Sequence, residues 1–154
     1  MLKRFCIMLL GIFVIGGVDV KAGNISDYII TYVNEDIDKL DRSVVGRIYY
    51  KEKKIFVDNR LEDNYKMHVL THELGHAIDS QYLKGIGHVA GLYSTTSEFT
   101  HIYLTEYEQG FFDDYHKNSV YEYFAESYAY AMEDNELFIK SYPETYRYFK
   151  ENIL

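Results

Sequence analysis

The chain has 154 residues, enough for one domain, and its 47% hydrophobic and 17% aromatic content is ample for a packed core. A formal net charge of −8 argues against nucleic acid and anionic membrane as partners. A single cysteine excludes a disulfide framework.

Residues 1–22 have the pattern of a secretory signal peptide. Lys3 and Arg4 form a basic start, Phe5 to Val18 an apolar run containing three Gly, and Val20-Lys21-Ala22 a small-residue cleavage site. The run is about 14 residues long, short of the roughly 20 that a spanning helix needs. Cleavage after Ala22 would give a secreted, extracellular domain of residues 23–154 with no stable membrane association. Cys6 leaves with the leader, so any metal must be held by His and carboxylate. The released chain keeps 13 basic and 23 acidic residues, about −10, a solvated acidic surface that aids solubility.

From Asn24 to Leu40 the apolar positions Ile25, Tyr28, Ile29, Tyr32, Val33, Ile37 and Leu40 follow the 3.6-residue period, which predicts an amphipathic helix with Asn24 or Ser26 as N-cap. Residues 44–50 and 54–58 are rich in β-branched and aromatic types and flank the charged Lys51-Glu52-Lys53, predicting a hairpin or small sheet. Such a strand can border a cleft and pair with an extended peptide.

A helix is predicted from Arg60 to Tyr82, ending at Gly85-Ile86-Gly87. It contains His72-Glu73-Leu74-Gly75-His76. Four residues exceed one helical turn only slightly, so His72 and His76 project from one face, near enough to share a metal ion. Glu73 lies beside them, where it can act as a general base on water. Leu70, Leu74, Ala77 and Ile78 form an apolar stripe that seats the helix on a core. His68, four residues before His72, could join the metal face and Asp79 could orient a ligand His, but both, like His88, read as solvated groups.

Residues 88–118 are polar and aromatic, with a helix in Ser97 to Glu108 and an acidic, aromatic block at 105–114 that would shape a cleft. Most of the aromatic content is Tyr, 17 residues whose hydroxyls need partners when buried. Residues 120–132 read as a helix with Phe124, Tyr128 and Met132 on one stripe and Glu122 and Glu126 a turn apart on another. One of these carboxylates can complete a metal site while the other orients a ligand His. Ser119-x-x-Glu122 also fits a capping box, and spacing leaves the choice between Glu122 and Glu126 open.

His72-Glu-Leu-Gly-His-Ala-Ile-Asp79, then Tyr115, then Glu122-Tyr-Phe-Ala-Glu126-Ser-Tyr, resembles the catalytic domain of anthrax lethal factor and its smaller secreted relatives, the Pro-Pro endopeptidases. The resemblance spans roughly residues 44–150, including the closing helix around Tyr142 to Phe149. It implies an α+β zincin-like metallopeptidase domain of the gluzincin type, a small β-sheet and a helical half on either side of a zinc cleft. It implies one Zn²⁺ on His72, His76 and Glu122, Glu73 as general base, Tyr115 as oxyanion donor, and Glu126 as the group that orients a ligand His. The function implied is that of a secreted, monomeric zinc endopeptidase acting on protein or peptide substrates, with a Pro-Pro preference that cleft loops would set. Host-cell delivery and cleavage of kinase substrates are not implied. The competing expectation is a non-catalytic binding protein or toxin component keeping the fold, but such a chain would typically have lost the base or a ligand.

Overall fold

The spacing of apolar residues after Asn24 does not produce a helix. In the computed structural model, which describes Ile25 and residues 27–81, 92–117 and 119–154, Ile29–Val33 is a strand, β1. All five of its residues, Ile-Ile-Thr-Tyr-Val, are β-branched or aromatic. They pair in parallel with β3 (Lys54–Asp58), Ile30 opposite Ile55 and Tyr32 opposite Val57. Pairing with a buried strand outweighs the local 3.6-residue pattern, which alternation and helix period share over so short a stretch. The acidic residues that follow tie the connection down: Asp38 accepts from Arg47 at 2.8 Å and Asp36 from Arg60 at 3.1 Å.

β3 is the middle strand, with Ile55 and Val57 wholly buried. β2 (Gly46–Tyr49) pairs with it antiparallel, as the hairpin expectation required, and the turn closes through Lys53 at φ +50°. The order β1-β3-β2 leaves β2 as an edge strand.

Helix α1 spans Asp63–Asp79, shorter at both ends than the predicted 60–82. Its last turn closes when the Ser80 N–H bonds the His76 carbonyl and the Gln81 N–H bonds that of Ile78. The Gly85-Ile86-Gly87 exit and His88 lie outside the described residues, as does the 1–22 leader. Leu70, Leu74, Ala77 and Ile78 are buried, so the predicted stripe does seat the helix. It lies against β2 and β3 on one side and against α4 (Val120–Met132) on the other.

The α1–α4 crossing is close because both helices carry small residues there. A Cβ built on Gly75 would lie 2.8 Å from both the Cα and the carbonyl oxygen of Ala125. Along α4, Phe124 and Tyr128 are buried as expected and Met132 is half-buried.

The remaining helices brace α4. They are α2 (Ser97–Glu106), two residues shorter than predicted, α3 (Asp114–Lys117), α5 (Glu136–Ser141) and α6 (Pro143–Asn152). The buried Glu106 carboxylate accepts the N–H groups of Glu144 and Thr145, each at 3.0 Å, and the Thr145 hydroxyl at 2.8 Å. It thereby caps α6, whose own N-cap Tyr142 supplies no side-chain bond. Buried tyrosines find partners of the same kind. Tyr142 accepts from the N–H groups of Phe111 and Phe112 at 3.2 and 3.3 Å, and the Tyr123 and Thr145 hydroxyls lie 2.8 Å apart.

The described chain is thus mixed α and β, a three-stranded sheet with six α-helices, compatible with the α+β expectation. None of its described helices is long and apolar enough to cross a membrane.

Gly75→Ala tests the crossing. Helix propensity alone favours Ala by about 1 kcal/mol. The Cβ contacts with Ala125 backbone cannot be relieved by a rotamer change, so a net loss of about 1–3 kcal/mol is expected in denaturant unfolding.

Candidate metal centre

The α1–α4 contact places two histidines against two glutamates. His72 and His76 have ring centroids 4.9 Å apart at an interplanar angle of 84°. Their Nε2 atoms lie 3.2 and 3.4 Å from the same atom, Oε2 of Glu122. That oxygen is buried and makes no hydrogen bond. The edge of a tetrahedron with bonds of about 2.0–2.1 Å is about 3.3–3.4 Å, so these separations suit three ligands of one divalent ion. The two imidazoles and one carboxylate fit such an ion in donor chemistry as well as in spacing.

The capping alternative for Glu122 is half realised. Ser119 Oγ accepts the Glu122 N–H at 3.4 Å, but the Glu122 carboxylate turns to the histidines. Burial would raise its pKa, yet the close approach of His72 and His76 holds it well below the usual carboxylate range.

Glu126 stands one turn further along α4, behind His72. Its Oε2 lies 2.7 Å from His72 Nδ1, which fixes that ring with Nε2 toward Glu122. Burial pushes the Glu126 carboxyl up, but hydrogen bonds to His68 and His72 win and lower it to about 2.

Glu73 is buried on the sheet side of α1, against the backbone of β2. A Cβ on Gly46 would sit 2.6 Å from both Glu73 Oε1 and Val69 Cγ1, so any side chain here would have to displace them. Burial raises the Glu73 pKa, and the nearby His72 and His76 oppose that. Tyr115, on α3, is 66% exposed and reaches over the cleft. Partial burial and then the charge of Glu122 push its phenol up.

His72, Glu73, His76, Tyr115 and Glu122 line a cleft of about 600 Å³ that Tyr50 and Tyr121 also border. A second lobe of about 650 Å³ shares His72, Glu73 and Tyr115 with it and extends toward His68, His116 and Phe112. Part of the predicted acidic, aromatic block therefore shapes the cleft, through Phe111, Phe112 and Asp113, while Glu106 caps α6.

Three polar residues differ from their expected places. His68 is not a solvated surface group: its Nε2 is 3.0 Å from Glu126 Oε1, its Nδ1 2.9 Å from Glu133 Oε1, and its ring lies 4.7 Å from that of Tyr130. Asp79 is buried, accepting the N–H and hydroxyl of Ser94 at 2.7 Å each. His116, which spacing did not single out, has its ring 5.6 Å from that of His72. The signal for His68 was its place in His68-x₃-His72-x₃-His76, a ladder matched across the crossing by Glu122-x₃-Glu126.

The family described as anthrax toxin lethal factor, N- and C-terminal domain, matches residues 40–152. The chain belongs to that family. A search of curated proteins finds no match. The lethal factor match takes in β2, β3 and every described helix, and with them all the His and Glu residues of the centre, while β1 precedes it.

Burial alone would lower the His68 pKa, but hydrogen bonds to Glu126 and Glu133 raise it from 6.5 to about 9. A pKa higher in the folded than in the unfolded chain gives stability that is full below 6.5 and is lost as pH rises through about 9. The metal-free chain should therefore lose stability between pH 6.5 and 9 in denaturant unfolding, and His68→Gln should flatten that slope.

Proposed function

We propose that this lethal factor family member is a secreted zinc-dependent endopeptidase with a zincin-like fold of the gluzincin type. The observation that carries the reading is the convergence of His72 Nε2 and His76 Nε2 on the buried, unbonded Oε2 of Glu122, with Glu73 and Tyr115 facing the same cleft. The centre would hold Zn²⁺ through these three residues, and the ion when bound supplies Lewis-acid polarisation of water and of the peptide carbonyl.

The protein's own residues supply the rest. Glu73, raised in pKa by burial, takes a proton from water as it attacks the peptide carbonyl, and passes that proton to the leaving amine. A base kept partly desolvated is closer in pKa to the groups it exchanges protons with than an exposed glutamate would be. Tyr115, which lines the same cleft, donates its phenolic hydrogen to the oxygen on which negative charge develops, an interaction strongest in the transition state. Glu126 keeps the His72 ring in the tautomer and orientation that point Nε2 at the centre.

The substrate is a peptide in extended form. Edge strand β2 borders the cleft through Gly46, Arg47 and Ile48, and a segment laid beside it would pair its backbone with the unfilled edge. Tyr50, Tyr121 and Leu92 give the cleft apolar surface for substrate side chains.

The test is cleavage of a mixed peptide library that includes Pro-Pro sequences, with zinc and with a chelator. Cutting should stop on chelation and return with zinc. Glu73→Gln should lower kcat/KM by about 10²–10⁴-fold while zinc content stays unchanged. Tyr115→Phe should lower kcat by about 10²–10³-fold with little change in KM. A folded, zinc-loaded chain that cuts nothing in the library would overturn the peptidase reading in favour of a binding protein.

A further inference from the structure

Glu126 is held from a side that its contact with His72 does not require. Its Oε2 accepts the His72 Nδ1 hydrogen at 2.7 Å, while its other oxygen, Oε1, lies 3.0 Å from His68 Nε2. His68 Nδ1 in turn lies 2.9 Å from Oε1 of Glu133, the residue at the C-cap of α4. Glu133, His68, Glu126 and His72 thus form one hydrogen-bonded chain that crosses and recrosses the gap between α4 and α1. We propose, on the basis of the His72–His76–Glu122 centre, that His68 is a positioning residue, which acts through Glu126 to hold the His72 ring with Nε2 toward the metal.

Competition at one oxygen explains why Glu126 needs a second anchor. His116 Nε2 stands 3.6 Å from Oε2, the oxygen that serves His72, and its ring lies 5.6 Å from the His72 ring. The last torsion of a glutamate is broad, so a carboxylate bonded through Oε2 alone can turn and pass that oxygen from one imidazole toward the other. The turn moves both oxygens together. A bond from His68 to Oε1 therefore opposes it and keeps Oε2 on His72.

His68 is itself fixed. Both of its ring nitrogens face carboxylate oxygens, so with both carboxylates ionised each nitrogen donates and the ring carries a positive charge. The Tyr130 ring lies 4.7 Å from it, and Tyr130 packs in turn on Phe111, Phe112 and Phe138. The His68 side chain is 15% exposed, whereas that of Glu133 is 41% exposed and forms the solvent end of the chain.

The charge of Glu126 depends on the same contact. Burial alone would push its carboxyl up, and the bond from His68, ahead of that from His72, brings it down. An ionised Glu126 is the stronger acceptor of the Nδ1 hydrogen, and that bond makes Nε2 the better electron-pair donor. A residue that merely joined the two helices would add to stability and leave the folded centre unchanged.

The experiment measures the zinc affinity of the full chain by competition with a chromophoric chelator, in the wild type and a matched pair of variants. A Gln amide nitrogen takes the place of His Nε2 and an Asn amide nitrogen that of Nδ1. His68→Gln therefore keeps a donor toward Glu126, and His68→Asn keeps one only toward Glu133. His68→Asn should weaken zinc binding by about 10-fold, and His68→Gln should restore most of that loss. Glu126→Ala should itself cost about 10–100-fold, and adding His68→Asn to it should change nothing further, because His68 acts only through that carboxylate. With Co²⁺ in place of zinc, the His72 Nδ1 proton should exchange slowly with water in the wild type and in His68→Gln, and faster in His68→Asn. His68→Ala gives the same comparisons should His68→Asn not fold.

A zinc affinity in His68→Asn equal to that of the wild type would overturn the assignment. So would an equal loss with and without Glu126, the mark of a general structural effect. A wild type that binds no zinc would remove the centre and this role with it. Zinc bound with the expected dependence on His68, in a chain that cleaves no library peptide, would support the positioning role and count against the peptidase.

Discussion

The approach of α1 to α4 at Gly75 and Ala125 governs the rest of the molecule. A helix pair separated by larger side chains would hold its axes further apart, at the 8–10 Å typical of packed helices or beyond. Here the glycine between His72 and His76 faces an alanine backbone with no space for a single added carbon. The two histidines and the two glutamates flank that contact on their helices, one turn apart on each side. Short side-chain distances at the centre follow from a short backbone distance at the crossing, and α2, α5 and α6 serve to hold α4 in that position.

Such closeness has an electrostatic cost that the arrangement itself offsets. Glu122 and Glu126 are both largely buried, and an isolated buried carboxylate would take up a proton. Each instead faces two imidazoles, which hold both acids below their ordinary range and raise His68 and His72. Glu73 has no such partner within hydrogen-bond reach among the described residues, and its pKa moves the other way. The two packed helices therefore carry carboxylates of opposite tendency: Glu122 and Glu126 on α4, held charged, and Glu73 on α1, pushed toward its neutral form.

The helical half of the fold was legible in the sequence because its signals are local. The stripe Leu70, Leu74, Ala77 and Ile78, the stripe Phe124 and Tyr128, and the Ser119 cap each lie within a few turns, and each forms as its spacing requires. β1 was not legible, because Ile29 to Val33 is too short for period 2 and period 3.6 to be told apart and its pairing partner lies 25 residues away. At the site, the His72, His76 and Glu122 convergence could be anticipated from motif spacing together with the resemblance. His116 could not, since it owes its place to Asp113 in the preceding loop, and His68, whose helical spacing from His72 was visible, owes its burial to Glu126 and Glu133 on another element, where a lone histidine is ordinarily solvated. Asp79 was misjudged for a related reason: Ser94, which buries it, follows a segment whose path spacing does not reveal.

Gly46 shows how the sheet contributes to the proposed chemistry without supplying a reactive group. The edge strand comes within contact of the Glu73 carboxylate only because residue 46 has no side chain. This contact shields Glu73 from water on one side and leaves its other side open to the cleft. The same close approach brings the unfilled edge of β2 alongside the His72–His76–Glu122 centre, so a peptide paired with that edge would have its backbone carbonyls beside both the base and the centre. A larger residue at position 46 would meet the Glu73 carboxylate and the Val69 side chain, and so would disturb both the proposed base and the edge proposed to receive substrate. One missing side chain thus links the protonation of the base to the position of the bond it would help to break.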